Sequence, residues 1–201
     1  MVYYTVGDDQ IYQWIKHPAS VQRVLDVARR DIKNGQIKKV YPRLAPLIAR
    51  GNPEALFLGC MARKPRESIG QYRRRHIQYL MQSADQEYPQ ALYALGRYHD
   101  IGDMVNLDRI KAAQLFKRAA ELNHAQSQCI HGQHLLYGLH GIKKDESKGM
   151  DYVLKSAKSK FQGALEVLAL FYEKGEFGFP IDPHKAASLR AEAEGDNVIG
   201  Y

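Results

Sequence analysis

The sequence predicts an all-α protein, a solenoid of about four helix-turn-helix units behind an N-terminal helical cap. Three observations carry this. Small and apolar residues recur at helical spacing in residues 91–120, at Ala91, Leu95, Gly96 and His99 and again at Ala112, Leu115, Phe116 and Ala119, with a turn around Gly102. The first half of that pair is repeated: Ala91–Leu95–Gly96–Gly102 matches Ser127–His131–Gly132–Gly138 and Ala164–Leu168–Ala169–Gly175, with a worn copy at Glu54–Leu58–Gly59. The second half is repeated too, as Asp108–Lys111–Ala112, Asp145–Lys148–Gly149 and Asp182–Lys185–Ala186.

The starts at 54, 91, 127 and 164 are 37, 36 and 37 residues apart, and closing pairs fall at Ser83–Ala84, Ala119–Ala120 and Ser156–Ala157. A hairpin this short cannot bury its apolar face alone, so neighbouring copies must cover one another. The third and fourth units carry one extra loop residue before their Asp, and the first unit has Tyr72, Arg75 and His76 where the others have Asp-x-x-Lys-Ala. Each repeated Asp opens a second helix and is read as an N-cap, with a weak surface pair to the Lys three residues on.

At these residues the chain resembles the Sel1-like repeat family, a relative of the tetratricopeptide repeat. The pattern Ala-x-x-x-Leu-Gly-x-x-Tyr-x-x-Gly, then Asp-x-x-Lys-Ala, then Ala-Ala is nearly complete over Ala91–Ala120, with His99 in the Tyr place, and Tyr172 supplies that Tyr in the fourth unit. The resemblance covers about residues 41–195. It implies a right-handed α-α superhelix that binds proteins, commonly as an adaptor, and it implies no activity. Secreted members of the family staple the two helices of a unit with a cysteine pair. Here Cys60 and Cys129 fall in different units, and they are expected as buried free thiols in a reducing compartment.

Residues 1–40 precede the repeat and are assigned to the cap, residues 41–195 to the solenoid and residues 196–201 to a tail. Ile11, Trp14 and Ile15 predict a short helix that stops before Pro18, with Trp14 as a packing anchor. Ser20 is the expected N-cap of a second helix carrying Val21, Val24, Leu25, Ala28 and Ile32 and closed by Asn34–Gly35. A further helix with Leu44, Leu47 and Ile48 leads into the first unit. Val198, Ile199 and Tyr201 are apolar enough to fold back over the last helix. No apolar run approaches the roughly 20 residues of a membrane span, and no signal peptide is evident, so a cytoplasmic protein is expected.

All of the net charge of +7 lies in the first half, where residues 1–90 hold fifteen Lys and Arg against eight Asp and Glu. This offers an acidic partner, protein or nucleic acid, a contact surface. Arg73, Arg74 and Arg75 are consecutive on a helix, point in three directions and are read as a solvated face rather than a clamp. No recognition helix, RNA-binding or zinc-finger signature accompanies them, so nucleic-acid association through residues 23–75 is the alternative reading.

No metal or cofactor is expected. Cys129, His131, His134 and His140 could be imagined around zinc, but His131 fills the inward slot of Leu95 and Leu168, Cys129 faces elsewhere, and no His-Glu-x-x-His motif completes the set. His131 is read as a buried, hydrogen-bonded core histidine. The glycines punctuate turns rather than forming a phosphate loop, and no nucleophile, base and orienting group coincide. No enzyme is expected.

What remains is a binding surface. Offsets 0, 4, 5, 8 and 11 from each start should face neighbouring helices, leaving offsets 2, 6 and 9 to line a concave face. These are Leu56, Cys60 and Arg63; Tyr93, Arg97 and Asp100; Cys129, Gln133 and Leu136; Glu166, Leu170 and Glu173. Neighbouring offsets add Ile101, His134, Tyr137 and Lys174. From these, Arg63, Tyr93, Arg97, Asp100, Gln133, His134, Tyr137, Leu170 and Lys174 are the expected contacts of a protein partner, because Tyr, Arg and exposed aliphatics carry interface energy. The expected role is an adaptor, or an immunity-type protein that neutralises a secreted toxin, acting as a monomer or weak homodimer.

Overall fold

The computed structural model describes residues 18–195, so the expectations for Trp14 and for Val198, Ile199 and Tyr201 lie outside the described residues. Among those described there are ten α-helices and no strands. No helix among them is long and apolar enough to cross a membrane. The chain divides into two compact units, Met1–Ala91 and Leu92–Tyr201.

In the first unit, α1 (Pro18–Lys33), α2 (Ile37–Ile48), α3 (Pro53–Cys60) and α4 (Ile69–Asp85) follow one another. Ser20 is not the cap expected of it: the helix already begins at Pro18, a residue whose fixed φ suits the first helical position, and Ser20 sits in the first turn. The exit is as expected, with Gly35 at φ +69° and the Gln36 N–H donating back to the Asp31 carbonyl. Leu25 and Ala28 of α1, Val40, Leu44 and Leu47 of α2, and Ala55 and Leu58 of α3 share one core, so the cap helix and the first repeat are packed as one body. That burial holds α2 together although it contains Pro42 and Pro46.

The worn repeat has a shortened first helix. α3 has 8 residues, against 13 in the first helices of the later units, and Asn52 caps it by accepting from the Ala55 N–H. The chain crosses 61–68 before α4, which opens with a reciprocal capping box between Ser68 and Gln71. Arg75 is not solvated as its triplet predicts. It is 8% exposed and reaches back from α4 to donate to the carbonyls of Gly59 and Ala62 at 3.0 and 2.7 Å. Two backbone carbonyls at and just past the abrupt end of α3 thus receive an arginine fork.

The second unit contains α5 (Pro89–Ile101, which the division enters), α6 (Arg109–Glu121), α7 (Ala125–Tyr137), α8 (Glu146–Lys158), α9 (Gln162–Lys174) and α10 (Pro183–Gly195). Consecutive helices from α6 onward pack on each other, and α7 also touches α9. The repeat appears as one hydrogen-bond scheme. Asp108, Asp145 and Asp182 cap α6, α8 and α10, each accepting from the N–H three residues on at 2.9, 3.1 and 2.9 Å. The backbone N–H of the same aspartates donates to His99, Leu135 and Tyr172, one register position in three hairpins, at 2.8, 2.9 and 2.8 Å.

Gly102, Gly138 and Gly175 leave the first helices at φ between +67° and +72°, where a side chain would be strained. The extra residue of the third and fourth loops is taken up by left-handed pairs, His140–Gly141 and Phe177–Gly178. Gly132 and Gly149 let α7 and α8 cross closely: a Cβ on either would lie 2.8 Å from the other's carbonyl oxygen. Ser156 Oγ donates to the Ala125 carbonyl at 2.7 Å, as Ser83 Oγ does to Pro53 in the first unit at 2.7 Å.

Candidate protein-binding face

The candidate face lies on the first helices of the second unit. Residues four and five positions into each of these repeats are buried, and the eighth is buried in two of them and half-buried in the third: Leu95, Gly96 and His99; His131, Gly132 and Leu135; Leu168, Ala169 and the half-buried Tyr172. At about 100° per residue, the opposite side of the helix is reached at offsets 6 and 10. There the structure exposes Arg97 and Ile101 on α5, Gln133 in part and Tyr137 on α7, and Leu170 and Lys174 on α9. Tyr137 is 48% exposed, Leu170 40% and Ile101 59%.

Offsets 2 and 9 behave otherwise, and several expected contacts are corrected. Cys129 and Leu136 are buried, at 2% and 0% exposure, and so is Leu56 at 1%, while Cys60, at offset 6 of the worn first unit, is buried as well at 1%. Offsets 2 and 9 lie at the edge of the buried arc, and a first helix packed on both its own partner and the next first helix has that arc widened. His134 is likewise only 8% exposed, its ring 6.2 Å from Phe116 and 5.0 Å from His140. It is a packing residue rather than a surface contact. Tyr93 is half-buried, its ring tilted against Phe116 at 5.9 Å and against His124 at 4.8 Å.

Asp100 is half-buried, and its carboxylate acts on the His134 ring. Arg63 is exposed but sits past the end of α3 and donates to the Glu67 carbonyl. Glu166 and Glu173 both reach Arg190 of α10.

Electrostatics set the second unit's histidines apart. Burial, before any other cause, pulls His124, His131 and His134 down to about 4, so all three are neutral at pH 7. His124 caps α7 through a ring nitrogen that accepts from the Ser127 N–H, a role that requires a neutral ring. Nδ1 of His131 has no hydrogen-bond partner, so the hydrogen bond expected there is missing on that nitrogen. Nδ1 of His134 is likewise unpartnered.

Both cysteines are free and buried, and burial pushes their thiols up to about 12 for Cys60 and about 11 for Cys129. Neither is a nucleophile at neutral pH. No group of three or more His, Cys, Asp or Glu among the described residues is arranged to hold a metal ion.

Helical hairpins joined by one repeated hydrogen-bond scheme, with the first helices presenting one face, define a helical-repeat protein. The Sel1 repeat model matches residues 89–124, 125–161 and 164–189, and the chain is a Sel1-repeat protein. Two solved structures share the fold. One is a Sel1 repeat protein from Oxalobacter formigenes (TM-score 0.63, 23% identity, 80% of this chain and 46% of that one). The other is c5321, a protective antigen of uropathogenic Escherichia coli displaying an SLR fold (TM-score 0.63, 18% identity, 78% of this chain and 33% of that one). Among curated proteins, chitin synthase regulatory factor 2 of Schizosaccharomyces pombe is 28% identical over 131 residues, 62% of this chain. The chain spans a quarter of that relative's length.

Proposed function

We propose that the chain is a non-enzymatic scaffold that holds a protein partner on the exposed face of α5, α7 and α9. The observation that carries this is the recurrence of exposed side chains at offsets 6 and 10 of three consecutive first helices: Arg97 and Ile101, Tyr137 beside the half-buried Gln133, and Leu170 and Lys174. A repeat that stacks its inner ridge leaves this outer row free, and Tyr, Arg and aliphatic side chains in it supply interface energy at a small ordering cost. The curated relative is named as a regulatory factor of a chitin synthase, which fits a role exerted through another protein.

An adaptor is the reading we adopt, and neutralisation of a secreted toxin would use the same face. Nucleic-acid association through residues 23–75 has less support, because several of its cations are engaged within the first unit. Arg29 pairs with Asp26 and Glu54, Arg43 with Asp31, and Arg75 with Glu67. The experiment is a pull-down with the wild-type chain and with Arg97→Glu/Leu170→Glu, both side chains being exposed. The partner captured by the wild type should be absent with the variant while helicity is unchanged. Equal recovery sinks the assignment of this face.

A further inference from the structure

The second unit also carries a cleft, built on the opposite side of α7 from Gln133 and Tyr137. It is an open cleft of about 770 Å³. Its base is apolar and aromatic: His131 and Leu135 from α7, Ile142 from the following loop and Tyr152 from α8. Its rim is basic, with Lys117 from α6, Lys143 and Lys144 from the loop and Lys148 from α8. Two acids, Glu121 and Asp145, also line it, so the lining is net positive in a unit whose sequence is charge-balanced.

The local ion pairs do not consume this charge. Lys117–Glu121 at 3.8 Å, Lys144–Glu146 at 2.7 Å and Lys148–Asp145 at 3.4 Å all involve lysine side chains more than half exposed. Pairs of that exposure in water hold little and exchange readily for another carboxylate. Beneath them His131 is 3% exposed, its ring edge-on to Tyr152 at 5.1 Å, and its Nδ1 lacks a hydrogen-bond partner.

The chemistry of the rim selects among anions. Its four ammonium groups come from three separate elements, and no arginine fork is present in the lining. Such a rim suits several carboxylates spaced along a chain better than one phosphate. The volume lies within the range of about 300–1,000 Å³ typical of ligand sites, large enough for a side chain over the aromatic base.

We propose that this cleft is a second docking site, which takes an acidic peptide segment of a protein partner. Aspartate and glutamate side chains lie on the lysine rim, and one apolar or aromatic side chain covers His131, Leu135 and Tyr152. The cleft does not depend on the face of α5, α7 and α9, and either site can fail without the other.

The test uses the full chain and a fluorescein-labelled peptide, Glu-Asp-Glu-Phe-Glu-Asp-Glu, in an anisotropy titration at low salt. A lysine-for-acid version of the peptide and a labelled single-stranded oligonucleotide serve as the other arms. The acidic peptide should bind and the basic one should not. Lys143→Glu/Lys144→Glu, on an exposed loop, should weaken binding by about tenfold or more with the circular dichroism spectrum unchanged. Arg97→Glu/Leu170→Glu should leave this binding intact, and the His131 ring resonance should move during the peptide titration. Absence of acidic-peptide binding, undiminished binding by the double-lysine variant, or binding of the oligonucleotide in place of the peptide overturns the proposal.

Discussion

Arg75 and Glu67 form a buried, two-pronged ion pair, Nε to Oε1 at 2.7 Å and the second guanidinium nitrogen to Oε2 at 2.8 Å. Their side chains are 9% and 7% exposed. The guanidinium also lies 5.2 Å from the Tyr41 ring and 5.3 Å from that of Tyr79, and it serves the carbonyls of Gly59 and Ala62. One side chain therefore ties α2, the end of α3, the 61–68 segment and α4 together. The first unit can do without Asp-x-x-Lys-Ala because this clamp replaces the hairpin hydrogen bond of the later units.

Removing one partner of the clamp strands the other as a buried charge. Arg75→Met should cost about 3–5 kcal/mol, as should Glu67→Leu, while the double variant should recover much of the loss. Chemical denaturation of the four proteins as a double-mutant cycle measures this. Additive losses would show that the pair is not coupled.

Acid should act in two stages. His124, His131 and His134 sit near 4 in the folded chain against an ordinary value of 6.5, so unfolded molecules take up protons first. The stability these rings confer is full above about pH 6.5 and drains away as pH falls toward 4. Glu67, held down to about 2 chiefly by the Arg75 guanidinium, adds its loss only from about pH 4.5 downward. His131→Leu, which installs the residue of the matching slots at Leu95 and Leu168, should lessen the drop between pH 7 and pH 5 by on the order of 2 kcal/mol. Urea unfolding at the two pH values checks it, and an unchanged drop would show that His131 is not held neutral.

The repeat was legible because its markers are local. Glycine in the left-handed exits, aspartate at the caps and the Leu-Gly step each act within one hairpin, so a period of 36–37 residues exposes them. The buried state of the His131 ring follows from register alone. What register could not give was the width of the buried arc, since it counts a helix pair and not the neighbouring first helix. Register therefore puts Leu136 and Cys129 on the surface, and His134 with them. Nor could it show that Arg75 turns inward while Arg73 and Arg74 do not. The basic cleft was invisible for a like reason: Lys117, Lys143 and Lys148 lie on three elements that meet only after folding.

Gly149→Ala should destabilise the second unit even though alanine fills the matching position in its neighbours, at Ala112 and Ala186. The new Cβ would stand 2.8 Å from the Gly132 carbonyl oxygen and 2.9 Å from the Leu136 nitrogen, backbone atoms that cannot swing aside. Overpacking of this kind costs about 1–3 kcal/mol, more than the gain of up to about 1 kcal/mol from replacing a helical glycine. Gly70→Ala, with only the Arg74 guanidinium 3.8 Å away, should be neutral or slightly stabilising. Thermal melts of the two variants moving in the same direction would contradict the close crossing of α7 and α8.

Two tyrosines separate folding from binding on the proposed partner face. Tyr93 is half-buried against Phe116 and His124, so Tyr93→Ala should lower stability by about 2–3 kcal/mol and weaken partner capture only through that loss. Tyr137 is 48% exposed, with its ring edge on Phe177 at 5.4 Å and its hydroxyl 3.4 Å from Glu176. Tyr137→Ala should change the melting temperature little and reduce capture strongly, because an exposed aromatic contributes its area when a partner covers it. Melting curves and pull-downs of the two variants, run side by side, decide the matter. If Tyr137→Ala binds as the wild type does, the partner does not sit over α7.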